Sequence, residues 1–382
     1  MNVITTTDAL AAASAAWAKD AFVTVDTEFM REKTYWPILC LVQVAGAEEE
    51  AIIDPLADGI DLSPLFELLK APTVEKVFHA ARQDVEIFYN LMGETPAPLV
   101  DTQIAAMACG YGESVGYETL VRTALGVQID KGSRFTDWSR RPLTDAQLSY
   151  ALSDVTHLRR VYEKLRAEID QKGRAGWLEE EMAVLTAAET YAANPEDAWK
   201  RLKLRHIKPR QLGVLMKVAE WREREAQTRN IPRGRVVKDD GLMEIVQHPP
   251  KTTGDLSRLR GAAKGLANAK GGERLIAAVA EGLAMDRDDL PDLERPKQSR
   301  PAPPAVVEML KVLLKTQCER HNVAPKLIAS VADLERIAAD QEPDVPALKG
   351  WRREVFGEAA LKLKAGEIAL KVKKGRVEIV GE

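Results

Sequence analysis

The sequence predicts an α/β domain built on a mixed sheet flanked by helices, followed by two all-α bundles, and three observations carry that expectation. Between residues 20 and 110, short runs rich in β-branched residues alternate with amphipathic stretches, the pattern of strands and helices layered in one domain. Residues 191–210 turn abruptly basic and contain two prolines, and residues 291–304 are Pro-rich and polar, so both read as linkers. Beyond residue 205 the apolar residues recur at helical spacing, twice, at a constant offset of 92. Length agrees, since 382 residues exceed the roughly 250 to 300 that a single core usually organises.

Thr7 and Asp8 precede an Ala-rich helical stretch to Lys19. Residues 21–26, 38–45 and 50–54 read as short strands, and three in succession suggest a meander. Residues 62–70 are helical, 74–79 a fourth strand, 82–92 a helix, 99–101 a fifth strand and 102–109 another helix. From Pro142 the run LTDAQLSYALSDVTHLRRVYEKLRAEI keeps helical periodicity, with Thr144 or Asp145 as its cap and Gly173 as its stop. In the later segments Val218/Leu310, Asn230/Asn322, Val236/Ile328, Leu242/Leu334 and Ile245/Ile337 stand 92 apart. Chance register between amphipathic helices is the competing explanation. Two copies fall short of the ~3 units a solenoid needs, so each reads as a small bundle with its own core. The expected domains are residues 1–200, 205–288 and 300–382.

A composition of 45% hydrophobic and 29% charged residues excludes a wholly disordered, collagenous or disulfide-rich chain. The net charge of −4 conceals an asymmetry: residues 1–200 carry 18 basic and 32 acidic side chains, and residues 201–300 carry 22 and 14. An acidic front joined to a basic middle suggests carboxylate chemistry beside a polyanion surface. Six basic residues gather in the first copy of the repeat: Arg222, Arg224, Arg229, Arg233, Arg235 and Lys238. Cys40, Cys109 and Cys318 form no C-x-x-C, which fits a reducing compartment. The N-terminal residues lack a signal-peptide pattern and no apolar stretch approaches ~18 to 20 residues, so a soluble, cytoplasmic protein without a membrane partner is expected.

The chemistry gathers at Asp26 and Glu28 in VTVDTEF. Side chains at i and i+2 leave a strand on one face, so two carboxylates stand together there and call for a compensating hard cation such as Mg²⁺ or Mn²⁺. A bare D-x-E is by itself most often a solvated strand end. Asp84 falls early in the helix after the fourth strand, where it can return to the same sheet edge, and Tyr150 and Asp154 share one face of the long helix. Each of these alone is an ordinary surface or amphipathic residue.

In this order and on these elements the residues resemble the DEDD superfamily of 3′→5′ exonucleases in its tyrosine subclass: Asp26-Thr27-Glu28, then Asp84, then Tyr150-Ala151-Leu152-Ser153-Asp154. The histidine subclass would place His at 149, which is Ser here; His157 fits neither pattern and is left as a packing or surface residue. The wording DTEFMREKTYWPILCLVQVA, VFHAARQD and the stretch from Phe135 to Thr144 resemble bacterial ribonuclease D over about residues 20–205. The duplicated part resembles two helicase-and-RNase-D C-terminal (HRDC) domains, the first more clearly. The resemblance implies a ribonuclease H-like sheet, two divalent ions (Mg²⁺ or Mn²⁺), and metal-dependent release of nucleoside 5′-monophosphates from RNA. The substrate it implies is RNA with a single-stranded 3′ end, with tRNA precursors as its source and no obligate protein partner. By that resemblance Asp26 bridges the ions, Glu28 and Asp154 complete one metal site, Asp84 holds the other, and Tyr150 orients the attacking water.

Around these, Thr27, Phe29 and Met30 are candidates to hold the terminal nucleotide, with core packing an equal alternative for Phe29 and Met30. His79 and Gln83 flank Asp84, and a lone His at a strand end is more often structural. Asp101 reads as a helix cap. Arg134, Arg140 and Arg141 with Trp138 form a basic, aromatic loop that either grips phosphates and stacks a base or pins Trp138 into the core. Two competing functions are a DNA-trimming exonuclease, since a metal site is indifferent to the sugar, and a catalytically silent RNA-binding protein.

Overall fold

The computed structural model describes residues 2–129, 132, 136–203, 207–259, 270–291 and 301–381. Arg134, Phe135, residues 260–262 and most of the second expected linker lie outside them. The chain opens with β1 (Val3–Ile4) and α1 (Thr7–Trp17), whose cap is the hydroxyl of Thr6 accepting from the Ala9 amide. β2 (Phe22–Met30), β3 (Ile38–Ala45) and β4 (Glu50–Ile53) form the expected antiparallel meander. Then come α2 (Ser63–Lys70), β5 (Glu75–Phe78), α3 (Arg82–Met92), β6 (Leu99–Asp101), α4 (Thr102–Cys109) and α5 (Tyr117–Leu125). The sheet order is β1-β4-β3-β2-β5-β6, with β1, β5 and β6 joining in parallel. β1 was not expected; two residues carry too little pattern to announce a strand.

β2 runs past Asp26 to Met30, because Ile38, Leu39 and Leu41 of β3 continue to pair it beyond that point. Asp26 and Glu28 therefore stand inside a paired strand and not at its end. A register shift between Glu28 and Phe29 bends the strand there, the local kink a β-bulge imposes.

One sheet face is covered by α1, α2 and α3 through Leu10, Trp17, Val23, Val25, Leu65, Leu69, Val85 and Phe88. Across the other lies α6 (Asp145–Lys172), started by a Thr144/Gln147 capping box and ended by Gly173 at φ +65°. The Thr24 hydroxyl, on that face of β2, donates to the Val155 carbonyl at 2.8 Å. α7 (Ala175–Thr186) then runs back beside α4 and β6.

The first bundle comprises α8 (Pro209–Thr228), α9 (Arg233–Val236), α10 (Asp239–Gln247), α11 (Thr253–Leu256) and α12 (Lys270–Ala284). The second holds α13 (Pro304–His321), α14 (Pro325–Ile328), α15 (Val331–Ala339), α16 (Gly350–Arg352) and α17 (Glu358–Ala365). α9 and α14, like α10 and α15, begin and end 92 residues apart, and Asn230 and Asn322 are both left-handed, at φ 46° and 49°. The last segment departs from the all-α expectation. A hairpin, β7 (Ala369–Lys373) and β8 (Arg376–Val380), follows α17, and only Leu370 and Ile379 rest on the core. Five-residue strands among charged neighbours give too short a pattern to stand apart from loop in a one-dimensional reading.

Both bundles dock on the sheet domain through that left-handed asparagine. Asn230 Oδ1 accepts from the backbone amides of Tyr35 and Trp36 in the β2–β3 loop, at 3.1 and 3.0 Å. Beside it the Tyr35 hydroxyl meets buried Glu223, which also takes Arg233 at 2.5 Å and Arg201 at 3.0 Å. Asn322 donates to the Cys109 carbonyl at 2.9 Å and lies against Gly110, where a Cβ would fall within 2.2 Å of its side chain. Here the contact is apolar as well: Leu310, Leu314 and Leu327 share one core with Ala105, Ala108, Leu120 and Leu178. Trp177 stacks on Trp351 at 4.0 Å, and Arg352 pairs with Glu180 and Glu181.

These contacts correct the reading of the basic cluster. Arg233 is spent on Glu223 and on the Tyr35 ring at 4.6 Å, and Arg222 is buried on Asp239. Arg224 is paired with Glu220, while Arg229, Arg235 and Lys238 stay exposed. Charge spacing along a chain cannot reveal which cations a tertiary acid neutralises.

Candidate active site

Two elements supply the acidic group. Asp26 and Glu28 leave β2 on the face that α6 crosses, and Asp154 descends from α6 one residue before Val155, whose carbonyl Thr24 holds. The carboxylates of Asp26, Glu28 and Asp154 offer one oxygen each, all within 4.8 Å of one another, and all three residues are half-buried. Burial first, then the charge of Asp154, pushes the Asp26 carboxyl well above the usual carboxylate range. Three hard oxygen donors held against their own repulsion match what a hard divalent cation requires.

Asp84 stands outside that group of three and is tied to it by Thr27. The Thr27 hydroxyl, on the other face of β2, donates to the Asp84 carboxylate. Burial, and next the charge of Asp26, raises the Asp84 carboxyl well above its ordinary value. The turn leading into α3 is fixed by Asp101, which accepts from the amides of Ala80 at 2.9 Å and Ala81 at 3.0 Å while capping α4 through Gln103 at 2.8 Å. Ala80 has φ 58°, an unusual backbone state for alanine. Asp101 is therefore the expected cap, and it also orients the first turn that carries Asp84.

Tyr150 sits one helical turn before Asp154, its ring 6.2 Å from Trp138 and nearly parallel at 28°. Trp138 is 3% exposed and packs with Cys40, Leu41 and Ala151, so the core alternative describes it. Arg141 is likewise engaged: it chelates Asp54 with two contacts of 2.6 Å and donates to the carbonyls of Cys40 and Trp138 at 2.9 and 2.8 Å. That clamp fastens the loop to the sheet and leaves no phosphate-gripping fork. Arg140 remains exposed beside Asp137 at 3.3 Å. Beyond Tyr150 a cleft of about 410 Å³ is lined by Gln128, Ser149, Ser153 and His157. His157, set aside in the sequence, thus faces the same cleft; burial first, then Arg160, lowers its pKa.

His79 uses both ring nitrogens, contacting Thr102 Oγ1 at 2.9 Å and the Val115 carbonyl at 3.1 Å, and burial lowers its pKa. It braces the turn through Thr102 and Val115 and is not hydrogen-bonded to Asp84. Gln83 is exposed; Phe29 and Met30 are half-buried against separate cores on opposite sheet faces. Two neighbours escaped the sequence reading. Tyr117 donates to the Ser153 carbonyl at 3.0 Å, and its phenol is pushed upward by burial, then by Asp154 and Asp26. Gln43 is the direct cross-strand partner of Asp26. Neither belongs to a local motif; only strand register and the crossing of α6 bring them in.

Comparison with known proteins places this geometry in context. The family described as 3'-5' exonuclease matches residues 1–170, and the HRDC domain matches residues 211–279. Ribonuclease D of Nitrobacter hamburgensis is 54% identical over 377 residues, 99% of this chain and 98% of that protein. Ribonuclease D of Granulibacter bethesdensis is 52% identical over 96% of this chain and 93% of its own. The crystal structure of Escherichia coli RNase D, described as an exoribonuclease involved in structured RNA processing, superposes with a TM-score of 0.82. It is 33% identical and covers 96% of this chain and 99% of that one.

Proposed function

The chain belongs to the ribonuclease D family and is a 3′→5′ exoribonuclease, and from that premise we propose how its side chains divide the work. Asp26, Glu28 and Asp154 hold divalent metal, with Asp84 contributing directly or through water to a second ion of the same Mg²⁺ or Mn²⁺ class. When bound, two such ions stabilise charge on the entering and leaving oxygens of the phosphodiester and make water a competent nucleophile at neutral pH. The observation that carries the reading is the convergence of three carboxylate oxygens within 4.8 Å from two separate elements.

Tyr150, a turn from Asp154, orients the attacking water. A phenol is too weak a base near pH 7 to remove the water's proton unaided, so its part is a hydrogen bond that fixes the line of attack. Thr27 keeps Asp84 facing β2, and Asp101 keeps the start of α3 in place. The cleft of Gln128, Ser149, Ser153 and His157 adjoins Tyr150 and offers polar groups to the RNA strand on the 5′ side of the scissile phosphate.

The substrate is RNA with a single-stranded 3′ end, and the trailers of tRNA precursors supply it; the product is a nucleoside 5′-monophosphate. The E. coli relative's part in structured RNA processing supports a substrate with a folded body and a free end. The second bundle acts as another HRDC domain, and the element-by-element offset of 92 supports that assignment. The enzyme works in the cytoplasm, which suits three buried free thiols.

A precursor tRNA carrying a 3′ trailer tests this reading. Mononucleotides should accumulate as the trailer shortens and the folded body survives, and Tyr150→Phe should slow the release without abolishing it. Intact trailers, or oligonucleotides as first products, would refute it.

A further inference from the structure

Gln43 lies on β3 opposite Asp26, so both side chains leave the same sheet face with Cβ atoms roughly 4.5 to 5.5 Å apart. α6 covers that face, because Thr24 reaches the Val155 carbonyl and Asp154 meets Asp26 there. On β3 the neighbouring positions of the same face are Leu41, opposite Glu28, and Ala45, opposite Thr24. Gln43 is thus a polar group set in an otherwise apolar row.

Its burial makes it more unusual. Gln43 is 0% exposed, and neither its amide nitrogen nor its amide oxygen has a hydrogen-bond partner among the described residues. A primary amide with both ends unpaired is a costly occupant for a core. Methionine or leucine would fill similar space without that cost. The orphaned amide faces the side of the sheet where the carboxylates meet, and that location points to a role in the site.

We propose that Gln43 is a positioning residue whose amide N–H donates to the Asp26 carboxylate in the metal-loaded enzyme, fixing the orientation in which Asp26 meets the cation. The inference rests on the metal-binding reading of Asp26, Glu28 and Asp154. The chemistry favours glutamine over a cation in this place. A neutral donor steadies a carboxylate without cancelling the negative charge that attracts the metal, whereas lysine or arginine would compete with the ion. Outer hydrogen-bond partners of metal ligands typically tune affinity by about 10- to 100-fold.

The test is calorimetric titration of Mn²⁺ into the full-length, metal-stripped protein and into Gln43→Met, Gln43→Leu and Asp26→Asn. Both Gln43 variants should bind Mn²⁺ about 10-fold more weakly or worse and need correspondingly more metal for half-maximal RNA cleavage. Their KM for RNA at saturating metal should stay put, and their melting temperature in EDTA should equal or exceed the parent's. Mn²⁺ affinity within about twofold of the parent in the folded Gln43 variants, with Asp26→Asn impaired, would overturn the role of Gln43 alone. Undiminished binding by Asp26→Asn would instead overturn the metal reading beneath it.

Discussion

Asp26→Asn should make the metal-free protein more stable while destroying its activity. Asp26 faces Glu28 and Asp154 with oxygens within 4.8 Å. One unit-charge pair at that distance repels by about 3.5 kcal/mol at an effective dielectric of ~20. Proton uptake relieves part of this, since Asp26 and Asp84 are both held above the ordinary aspartate value of 3.8. The folded protein then binds protons that the unfolded chain has released, so metal-free stability falls as pH rises from about 3.8 through the raised folded values. Taking roughly half the repulsion as still present at neutral pH, the neutral amide should recover about 2 kcal/mol, some 4 to 8 °C in melting temperature. The assay is thermal unfolding in EDTA and in Mg²⁺. The parent should gain strongly from Mg²⁺; the variant should start higher in EDTA and gain little. A variant that melts below the parent in EDTA, or gains equally from Mg²⁺, would mean that the three carboxylates do not repel one another in the metal-free fold.

Glu223→Ala should loosen the β2–β3 loop from the first bundle. Burial opposes the Glu223 charge, but Arg233 and Tyr35 overcome this and hold its carboxyl below the usual range. Its loss should cost about 2 kcal/mol, because Arg233 and Arg201 can reach water, and faster amide exchange at residues 34–36 would show it. Lys76, 0% exposed with three carbonyl partners at 2.6 to 2.7 Å, is lowered by burial to a pKa of about 8. A base depressed in the folded state costs stability below that value and regains it between pH 8 and 10.5, here about 3 kcal/mol. The buried thiols titrate in the same range in both proteins, so the difference in urea midpoint between the parent and Lys76→Met should move in the parent's favour over that window, and a constant difference would contradict it. Deleting residues 301–382 should yield an aggregating protein, since it strips the shared core from Ala105, Leu120 and Leu178; a soluble, fully active fragment would contradict that packing.

What the sequence made legible follows from how far each interaction reaches along the chain. D-x-E on a strand and Y-x-x-x-D on a helix are local, so Asp26, Glu28, Tyr150 and Asp154 stood out, as did the Thr144 and Gly173 helix boundaries. Asp84 was singled out by its place after a strand, but the Thr27 hydroxyl that ties it to β2 comes from 57 positions away. Arg141 and Arg233 looked like phosphate grips because their partners, Asp54 and Glu223, are defined by the fold. The repeat was readable because apolar spacing survives duplication. Its shared docking corner became visible only when Asn230 and Asn322 took the same left-handed turn against different surfaces. Gln43 was hidden for the simplest reason: polar residues within apolar strands carry no signal until the cross-strand partner is known.

The most direct test is a 5′-labelled RNA with a single-stranded 3′ tail, incubated with the protein in Mg²⁺, Mn²⁺ or EDTA beside Asp154→Asn. With metal, a ladder should shorten from the 3′ end one nucleotide at a time, and the RNA should stay intact with EDTA or with the variant. Cleavage undiminished in EDTA or in Asp154→Asn would contradict the assignment of the carboxylate cluster as the catalytic metal site.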